Sequence, residues 1–440
     1  MNKTLLEVRA LVPDFSFYIY RMELISIVIF IVGYLAIAFE HPLKINKTAS
    51  ALVTGVLVWV VVALVKGPDS LESLSHHLGS TSEILFFLLG AMTLVELVDA
   101  HHGFHFVSRL IKTNQPAKLM WIVGFITFFL SAILDNLTTS IVMVTLLRKL
   151  VSDKSTRMFF VGVVVIAANA GGAWSPIGDV TTTMLWIGGQ ISASGIIKTL
   201  FIPSLISLIV PLAVAAFWVR ERKLGSFHQQ VELSSEEERH GKIMLAAGVS
   251  SLLGVPVFKT LTHLPPFMGI LLALGVVWIL SEVLHADKDA ETKKPYTVGH
   301  ALTKIDTSSV LFFLGILLAI GALESFGYLT QLAVVLEQTF GNQYIIVALI
   351  GLASSVVDNV PLVAATMGMY SLADFPMDHA MWEFLAYCAG TGGSILIIGS
   401  AAGVAVMGME QIEFGWYAKK IGVLALLGYA AGALTYIMLH

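Results

Sequence analysis

Long apolar stretches without charged residues recur along the chain, and short polar segments separate them. A helix needs about 20 such residues to cross the hydrocarbon core of a bilayer. The pattern therefore predicts helical spans over 24–39, 48–65, 84–98, 199–219, 243–258, 265–281, 308–323 and 421–439. The weakest of these spans is 84–98, because it carries Glu96.

Two further apolar stretches, 119–147 and 343–370, are too long for one span and too short for two. Each is interrupted at its middle by an Asp-Asn pair, at 135–136 in the first stretch and at 358–359 in the second. We interpret both as re-entrant hairpins, which enter and leave the membrane on the same side.

The stretches 158–189 and 384–408 carry Gly-Gly pairs near their middles, at 171–172 and 392–393. Glycine weakens a helix interior. We therefore predict helices that cross the membrane but unwind near its centre. Non-helical backbone at that depth is tolerated only where it is buried in protein or lines a polar cavity.

Composition agrees with a membrane protein and excludes several other classes. Hydrophobic residues make up 56% of the 440 residues and charged residues 13%, with a mean hydropathy of +0.83; soluble domains carry about 25% charged residues. The net charge of −4 offers no basic face for nucleic acid. A single cysteine, Cys388, excludes an intramolecular disulfide and a cysteine-cluster metal site.

The Lys and Arg residues test this layout of ten crossings and two hairpins. Most of the 26 fall in loops on one side, and the other side holds only the N-terminal tail and three single lysines. The side with more Lys and Arg is predicted to be cytoplasmic. Both termini then face outward in this topology.

Three blocks of the first half recur in the second half in the same order. The Asp-Asn pair at 135–136 recurs at 358–359, the Gly-Gly pair at 171–172 recurs at 392–393, and Gly178-Asp179 corresponds to Gly399-Ser400. We interpret this as an internal duplication. Each half has five crossings, and an odd number turns the second half upside down.

The predicted fold is an all-α polytopic membrane protein built from two inverted repeats of five crossings, each with a re-entrant hairpin and a broken helix. The predicted boundaries are an N-terminal tail at 1–21, a first repeat at 22–219, a cytoplasmic linker at 220–242 and a second repeat at 243–440. Inverted repeats with broken helices are a transporter architecture whose substrate site lies near the membrane midplane.

The ionisable residues inside or at the ends of the predicted membrane segments are almost all acids without basic partners: Glu96, Asp135, Asp179, Glu324 and Asp358, with Asp99 near a helix end. An acid at the bilayer centre costs about 3 kcal/mol on insertion scales. Protonation, hydrogen bonds or bound cations must offset that cost. An acid that holds either a proton or Na⁺ is the minimal device for exchanging the two ions.

The hairpin tips combine carboxylates with amides and hydroxyls, the oxygen-bearing groups that hard cations prefer. The first tip carries Asp135, Asn136, Thr138 and Thr139, and the second carries Asp358 and Asn359. An alternative interpretation is that each Asp only caps the helix that follows it.

The densest polar stretch within a span includes Asn169, Ser175, Asp179 and Thr182. Its counterpart in the second half includes Thr391 and Ser394 but no acid. These residues are candidates for ion binding or proton coupling, and Na⁺ is predicted at Asp135, Asp179 and Asp358. A proline kink with its carbonyls satisfied by hydroxyls is the alternative. Glu96 and Glu324 are either proton-path residues or acids near helix ends.

The two Asp-Asn motifs, the stretch 169–183 and the segment 41–47 resemble NhaD-type sodium/proton antiporters of the ion transporter superfamily. The resemblance covers about residues 22–438. It implies a secondary active antiporter, not an enzyme, that exchanges Na⁺ and Li⁺ for H⁺ by alternating access. It further implies a multi-pass homodimer among the lipids of the inner (plasma) membrane, with no resident cofactor.

Other functions remain open at this point. The closest alternative is a Na⁺-coupled transporter of carboxylates or other anions from the same superfamily. Such carriers are expected to have Ser-Asn-Thr where this chain has Asp-Asn at the hairpin tips. An intramembrane aspartyl protease is disfavoured because Pro176 replaces the first Gly of its Gly-x-Gly-Asp motif. A channel is disfavoured because hairpins that meet at the midplane favour gates over an open pore.

Overall fold

The computed structural model describes residues 15–105, 113, 115–222, 224 and 233–440. Residues 1–14 of the predicted tail, and residues 223 and 225–232 of the predicted linker, lie outside this part. The described residues form helices, turns and loops without a β-strand. The first helix begins at Phe15, within the segment interpreted as the tail.

The main helices are α1 (Phe15–Ala38), α2 (Lys47–Lys66), α3 (Asp69–Ala100), α4 (Pro116–Leu134), α5 (Asn136–Leu150), α6 (Lys154–Ala173), α7 (Val180–Ile187), α8 (Ala193–Val219), α9 (Ser235–Thr262), α10 (Pro266–Leu284), α11 (Thr307–Ser325), α12 (Tyr328–Phe340), α13 (Gln343–Ala353), α14 (Asn359–Met369), α15 (Ala380–Gly392), α16 (Ala401–Glu410) and α17 (Val423–Leu439). Short helical turns lie at Glu40–Leu43, Ala290–Lys293, Lys294–Tyr296, Val298–Leu302 and Phe414–Tyr417, and a π-helical turn, Ala418–Gly422, leads into α17.

Ten helices in the described part of the chain are long and apolar enough to cross a membrane. The sequence pattern also predicted ten crossings, but the two sets differ in one member. Helix α4, predicted as a hairpin arm, qualifies by its length of 19 residues. The second broken helix is divided into α15 and α16, and each of these pieces is too short to cross by itself.

The chain divides into two compact units. The first contains residues up to Ser82 together with Thr307–Val335 and Ala364–Met369. Its helices α2 and α11 cross closely at Gly55 and Gly315, where an added Cβ on Gly55 would lie 2.5 Å from the Gly315 carbonyl oxygen. Small residues allow such backbone approach where lipid offers no hydrophobic driving force.

The second unit contains Glu83–Asp306, Leu336–Val363 and Tyr370–His440. Helices α4, α5 and α6 pack against one another, α13 packs on α15, and α8 lies along α17. Helices α4 and α5 contact each other on either side of Asp135, as a hairpin requires. Both broken helices and both Asp-Asn turns belong to this unit.

Helix α12 was not predicted as a separate element. It is bent from α13 by 115° at a short break. Gln331 and Glu337 interrupt its apolar residues, and only Leu329 and Ala333 are buried. Such a short helix with a polar face gives a weak hydropathy signal.

Candidate functional site

The two halves of the sequence make the same hydrogen bond between hairpin and broken helix. The Ser131 hydroxyl donates to the Ala168 carbonyl at 2.6 Å, and the Ser354 hydroxyl donates to the Ala389 carbonyl at 2.8 Å. Ser131 and Ser354 each lie four residues before the Asp of their Asp-Asn pair. The two halves therefore make this hydrogen bond at positions that the sequence alignment of the halves places in correspondence.

Glycines occupy equivalent positions in the two halves, where each broken helix crosses its hairpin. An added Cβ on Gly171 would lie well inside 3.0 Å of the Phe128 carbonyl oxygen, and one on Gly392 would lie well inside 3.0 Å of the Gly351 carbonyl oxygen. Side chains at these two positions would push each broken helix off its hairpin. The Gly-Gly pairs thus permit close contact as well as the break.

Equivalent residues cap the second segments of the two broken helices. Asp179 precedes α7 and accepts a hydrogen bond from the Thr181 N–H at 3.0 Å, and Ser400 precedes α16 and accepts one from the Gly403 N–H at 3.2 Å. Their backbone angles agree, with φ −146° at both and ψ 149° and 153°. Asp179 and Ser400 are therefore structural counterparts, but one is an acid and the other a hydroxyl.

Asp179 is the centre of a buried polar network that draws on both halves. It is 2% exposed. The Asn136 amide of the first hairpin donates to its Oδ2 at 2.7 Å. The Asn359 amide of the second hairpin lies 3.4 Å from both carboxylate oxygens. The Thr181 hydroxyl adds a bond of 3.0 Å to Oδ1.

Asn169 extends this network to the second broken helix. Its Oδ1 accepts from the Asn136 amide at 2.9 Å, and its amide nitrogen donates to the hydroxyls of Ser394 at 2.9 Å and Ser400 at 3.0 Å. Asn169 is fully buried, and Ser394 is 2% exposed. The network therefore joins two hairpins and two broken helices around one carboxylate.

The side chains that hydrogen-bond to Asp179 are neutral, and the carboxylates of Asp135 and Asp358 also act on it electrostatically. In the described chain, the side chains that hydrogen-bond to the Asp179 carboxylate belong to Asn136, Asn359 and Thr181, and no Lys or Arg is among them. No group of three or more His, Cys, Asp and Glu side chains converges in the described residues. A cation held here would be bound by carboxylate together with neutral oxygens, as suits a hard ion.

The two hairpin acids have different local geometry. Asp135 has φ 99° and caps α5, with Thr138 donating its N–H to Oδ1 at 2.7 Å and its hydroxyl to Oδ2 at 2.8 Å. A positive φ at a non-glycine residue is strained, and such strain clusters at functional sites. Asp358 accepts from the Val360 N–H at 3.3 Å. Both acids are half-buried, and Asp135 does cap the helix that follows it.

Other hydroxyls that the sequence analysis proposed as ion ligands donate hydrogen bonds to backbone carbonyls. Ser175 donates to Ala132 O at 2.5 Å, Thr182 donates to Asp179 O at 2.9 Å, and Thr391 donates to Tyr387 O at 2.6 Å. These bonds match the alternative interpretation of a broken helix whose carbonyls are satisfied by hydroxyls. Thr139 differs, because its buried hydroxyl has no hydrogen-bond partner in the described residues.

The two glutamates singled out by the sequence lie in different units. Glu96 is half-buried in α3 and belongs to the second unit. Glu324 is exposed near the end of α11 and belongs to the first unit. Neither contributes a hydrogen bond to the network described above.

Two members of the network, Thr181 and Ser400, were not among the predicted site residues. Thr181 follows Asp179 by two positions, the spacing of a capping contact. Ser400 was aligned with Asp179 by the repeat, and that alignment was the available signal for its position.

The helices, the broken segments and the buried acid define a multi-pass membrane transporter, not an enzyme. The chain belongs to the CitMHS citrate transporter family, which it matches over residues 34–385. The predicted resemblance to NhaD-type sodium/proton antiporters is confirmed by the relatives described next.

Sodium/proton antiporter 1 of Arabidopsis thaliana is 51% identical over 94% of this chain and 72% of that protein. The Na(+)/H(+) antiporter NhaD of Alkalimonas amylolytica is 31% identical over 94% of this chain and 90% of that protein. The crystal structure of the Alcanivorax borkumensis YdaH transporter matches 84% of this chain and 88% of its own with a TM-score of 0.54. At 11% identity, that match concerns the fold alone.

Proposed function

We propose that this protein exchanges Na⁺ for H⁺ across a membrane and that the two ions compete for the Asp179 carboxylate. The observation that carries the proposal is the burial of Asp179 among neutral amides and hydroxyls from both halves of the chain. An ionisable residue at this depth is a functional site by default. Relatives named as sodium/proton antiporters support sodium/proton antiport in general.

The amides of Asn136 and Asn359 can interact with the Asp179 carboxyl group whether it is ionised, protonated or bound to Na⁺. An amide presents an N–H donor or, after rotation, an oxygen acceptor. The donor side stabilises the ionised Asp179, as in the observed contacts. The oxygen side accepts a hydrogen bond from a protonated Asp179 or coordinates Na⁺. Each state of the carboxyl group can therefore be satisfied without a basic residue.

The hairpin acids extend the proposed site. Asp135 and Asp358 lie one residue before Asn136 and Asn359 and are further candidate positions for Na⁺, although in the described residues the three carboxylates do not converge on one ion. The buried hydroxyl of Thr139 is a further oxygen ligand, because it is unpartnered in the described residues. Thr138 and Ser394 supply neighbouring hydroxyls. Glu96 and Glu324 remain candidates for a proton path.

The proposal also covers the second transported cation, the transport mechanism, the oligomeric state and the membrane location. The protein transports Li⁺ as well as Na⁺ and works by alternating access between two inverted repeats. It forms a homodimer surrounded by lipid in the inner (plasma) membrane, with both termini outside. The internal repeat of hydrogen bonds supports the two-repeat architecture.

Everted vesicles test the activity directly. Respiration acidifies their interior, and added Na⁺ or Li⁺ is expected to dissipate that gradient, because each cation displaces a proton from the shared carboxylate. A pH-sensitive dye reports the change. Added K⁺ and vesicles without the protein are the controls.

Citrate and succinate are added in parallel because the family is described as citrate transporters. A response to these anions with none to Na⁺ or Li⁺ would replace antiport by the carboxylate alternative. The acid at the centre of the network disfavours an anionic substrate, since two negative charges repel in a buried site.

Cysteine labelling tests the proposed orientation. After replacement of Cys388, a cysteine in loop 372–380 is expected to react with an impermeant thiol reagent from outside, and one at 152–156 only from inside. The reason is that positive loops face the cytoplasm. Reaction of both loops from the same side would contradict the inverted arrangement.

A further inference from the structure

Glu383 is a buried acid that the proposed ion site does not use. It lies in the first part of α15 and is 3% exposed. The Tyr436 hydroxyl of α17 donates to its Oε2 at 3.1 Å, and the Thr199 hydroxyl of α8 also contacts it. These residues all belong to the second unit.

Each of the two hydroxyls has a second acceptor within reach. Tyr436 Oη lies 3.0 Å from the Ala380 carbonyl oxygen, and Thr199 Oγ1 lies 2.9 Å from the Gly195 carbonyl oxygen. A hydroxyl has only one proton to donate. It donates to Glu383 when the carboxyl group is ionised and to the carbonyl when the carboxyl group is protonated.

A protonated Glu383 in turn donates its own hydrogen to the oxygen of Tyr436 or Thr199. Both protonation states of this buried acid are thus hydrogen-bonded, so neither leaves a buried polar group unsatisfied. Rotation of two hydroxyl hydrogens is enough to pass between the states.

The charged groups around Glu383 do not fix its carboxyl group in the ionised form, so it can bind and release a proton. The titratable groups that act most strongly on Glu383 in the described chain are Tyr436 and His440, from α17 and its end, and Asp378 from the loop before α15, and His379 lies one helical turn before Glu383. No Lys or Arg is among them in the described chain. The His440 ring stacks on Tyr436 at 4.4 Å and is exposed.

We propose that Glu383 is a second proton-binding site, which takes up a proton from water and releases it again at the end of the unit where α8 and α15 begin. The inference rests on the proposed Na⁺/H⁺ exchange. The proton leaves as H⁺ to water beside His440, and the carboxylate that remains is held by the two hydroxyls. Glu383 is separated from Thr391 by about two helical turns of α15.

Glu410 is a matched comparison within the same chain. It is also 3% exposed and lies in the second broken helix. Two arginines hold it, with Arg148 Nε at 2.6 Å from Oε1 and Arg157 Nε at 3.0 Å from Oε2. The two glutamates therefore differ in their partners and not in their exposure.

The test uses a hydrophobic carbodiimide, which modifies carboxyl groups that are protonated in apolar surroundings. Purified full-length protein is labelled from about pH 6 to about pH 9, and mass spectrometry of peptides locates the label. Modification of Glu383 is expected to increase as the pH falls. Modification of Glu410 is expected to stay at background, because both of its carboxylate oxygens are paired with arginines.

Transport by Glu383→Gln provides the second measurement. The amide keeps the size and an acceptor oxygen but binds no proton. Na⁺-driven proton movement is expected to slow at least about tenfold, with the half-saturating Na⁺ concentration changed less than about twofold. A purely structural role would alter stability and leave the pH profile of the rate unchanged.

Two results would overturn the proposal. One is labelling of Glu383 no greater than that of Glu410 at every pH. The other is a Glu383→Gln variant with the wild-type rate and pH profile. A wild-type protein without Na⁺-dependent proton movement would refute the antiport function instead, and the labelling result would still decide whether Glu383 binds a proton.

Discussion

Asp179→Asn is expected to reduce Na⁺-dependent proton movement at least about a hundredfold while leaving expression and unfolding temperature close to wild type. Asparagine is also a good N-cap residue, so its side-chain oxygen can still accept from Thr181 at the start of α7. What the variant loses is the carboxylate that, as we propose, alternates between a proton and a cation. Dye-monitored proton movement in everted vesicles measures the effect.

Asp153→Asn is the matched control for this variant. Asp153 caps α6 by accepting from the Thr156 N–H at 2.8 Å, and it is exposed. The backbone and hydroxyl of Thr156 lower the pKa of its carboxyl group, so that it stays ionised throughout the assay. Exchange should be unchanged in this variant. Wild-type exchange by Asp179→Asn would move the shared site to the hairpin acids Asp135 and Asp358.

Gly392→Ala is expected to have the second large effect, on stability. Its new methyl group would overlap the Gly351 carbonyl oxygen, where α15 crosses α13. Backbone cannot move aside as a flexible side chain can. Overpacking of this kind costs about 1 to 3 kcal/mol. The detergent-solubilised variant should unfold at a lower temperature in a fluorescence melting experiment.

Gly390→Ala provides the comparison on the same helix. A Cβ at Gly390 would meet the Ala173 side chain at 3.4 Å, an ordinary contact. This variant should melt close to wild type. Gly171→Ala, which crowds Phe128 in the first half, should behave like Gly392→Ala. Equal melting of the Gly390 and Gly392 variants would contradict the close crossing.

The sequence located the network well because membrane interiors admit few polar groups. Asn136, Asn169, Asp179 and Asn359 each interrupt an otherwise apolar stretch, and the structure brings all four together. The repeat added information, because corresponding positions in two halves were expected to make corresponding contacts.

The sequence did not predict which atoms the hydroxyls near the helix breaks bond to. Ser175, Thr182 and Thr391 looked like possible ion ligands, but a hydroxyl serves equally well to satisfy a carbonyl at a helix break. Ser175 bonds to a carbonyl 43 residues earlier, whereas Thr182 and Thr391 bond to carbonyls three and four residues earlier, and which role a hydroxyl takes depends on distances of a few tenths of an ångström. Residue type and spacing do not encode those distances.

Glu383 was missed for a different reason. The apolar stretch begins at Phe384, so the glutamate before it read as the charged flank of a membrane span. Its burial comes from α8 and α17, which pack over the start of α15. A charged flank and a buried acid are indistinguishable until those neighbours are placed.

The difference between Asp179 and Ser400 bears on how such a chain can have originated. Two identical, separately encoded copies of one repeat would carry the same residue at both positions. An acid at both would place two like charges on either side of Asn169, and a hydroxyl at both would leave no carboxylate between the broken helices. Covalent fusion of the copies lets each position mutate by itself, so one acid can be kept and the other lost. Fusion thus keeps the acid of one half and the hydroxyl of the other together in a fixed ratio of one to one.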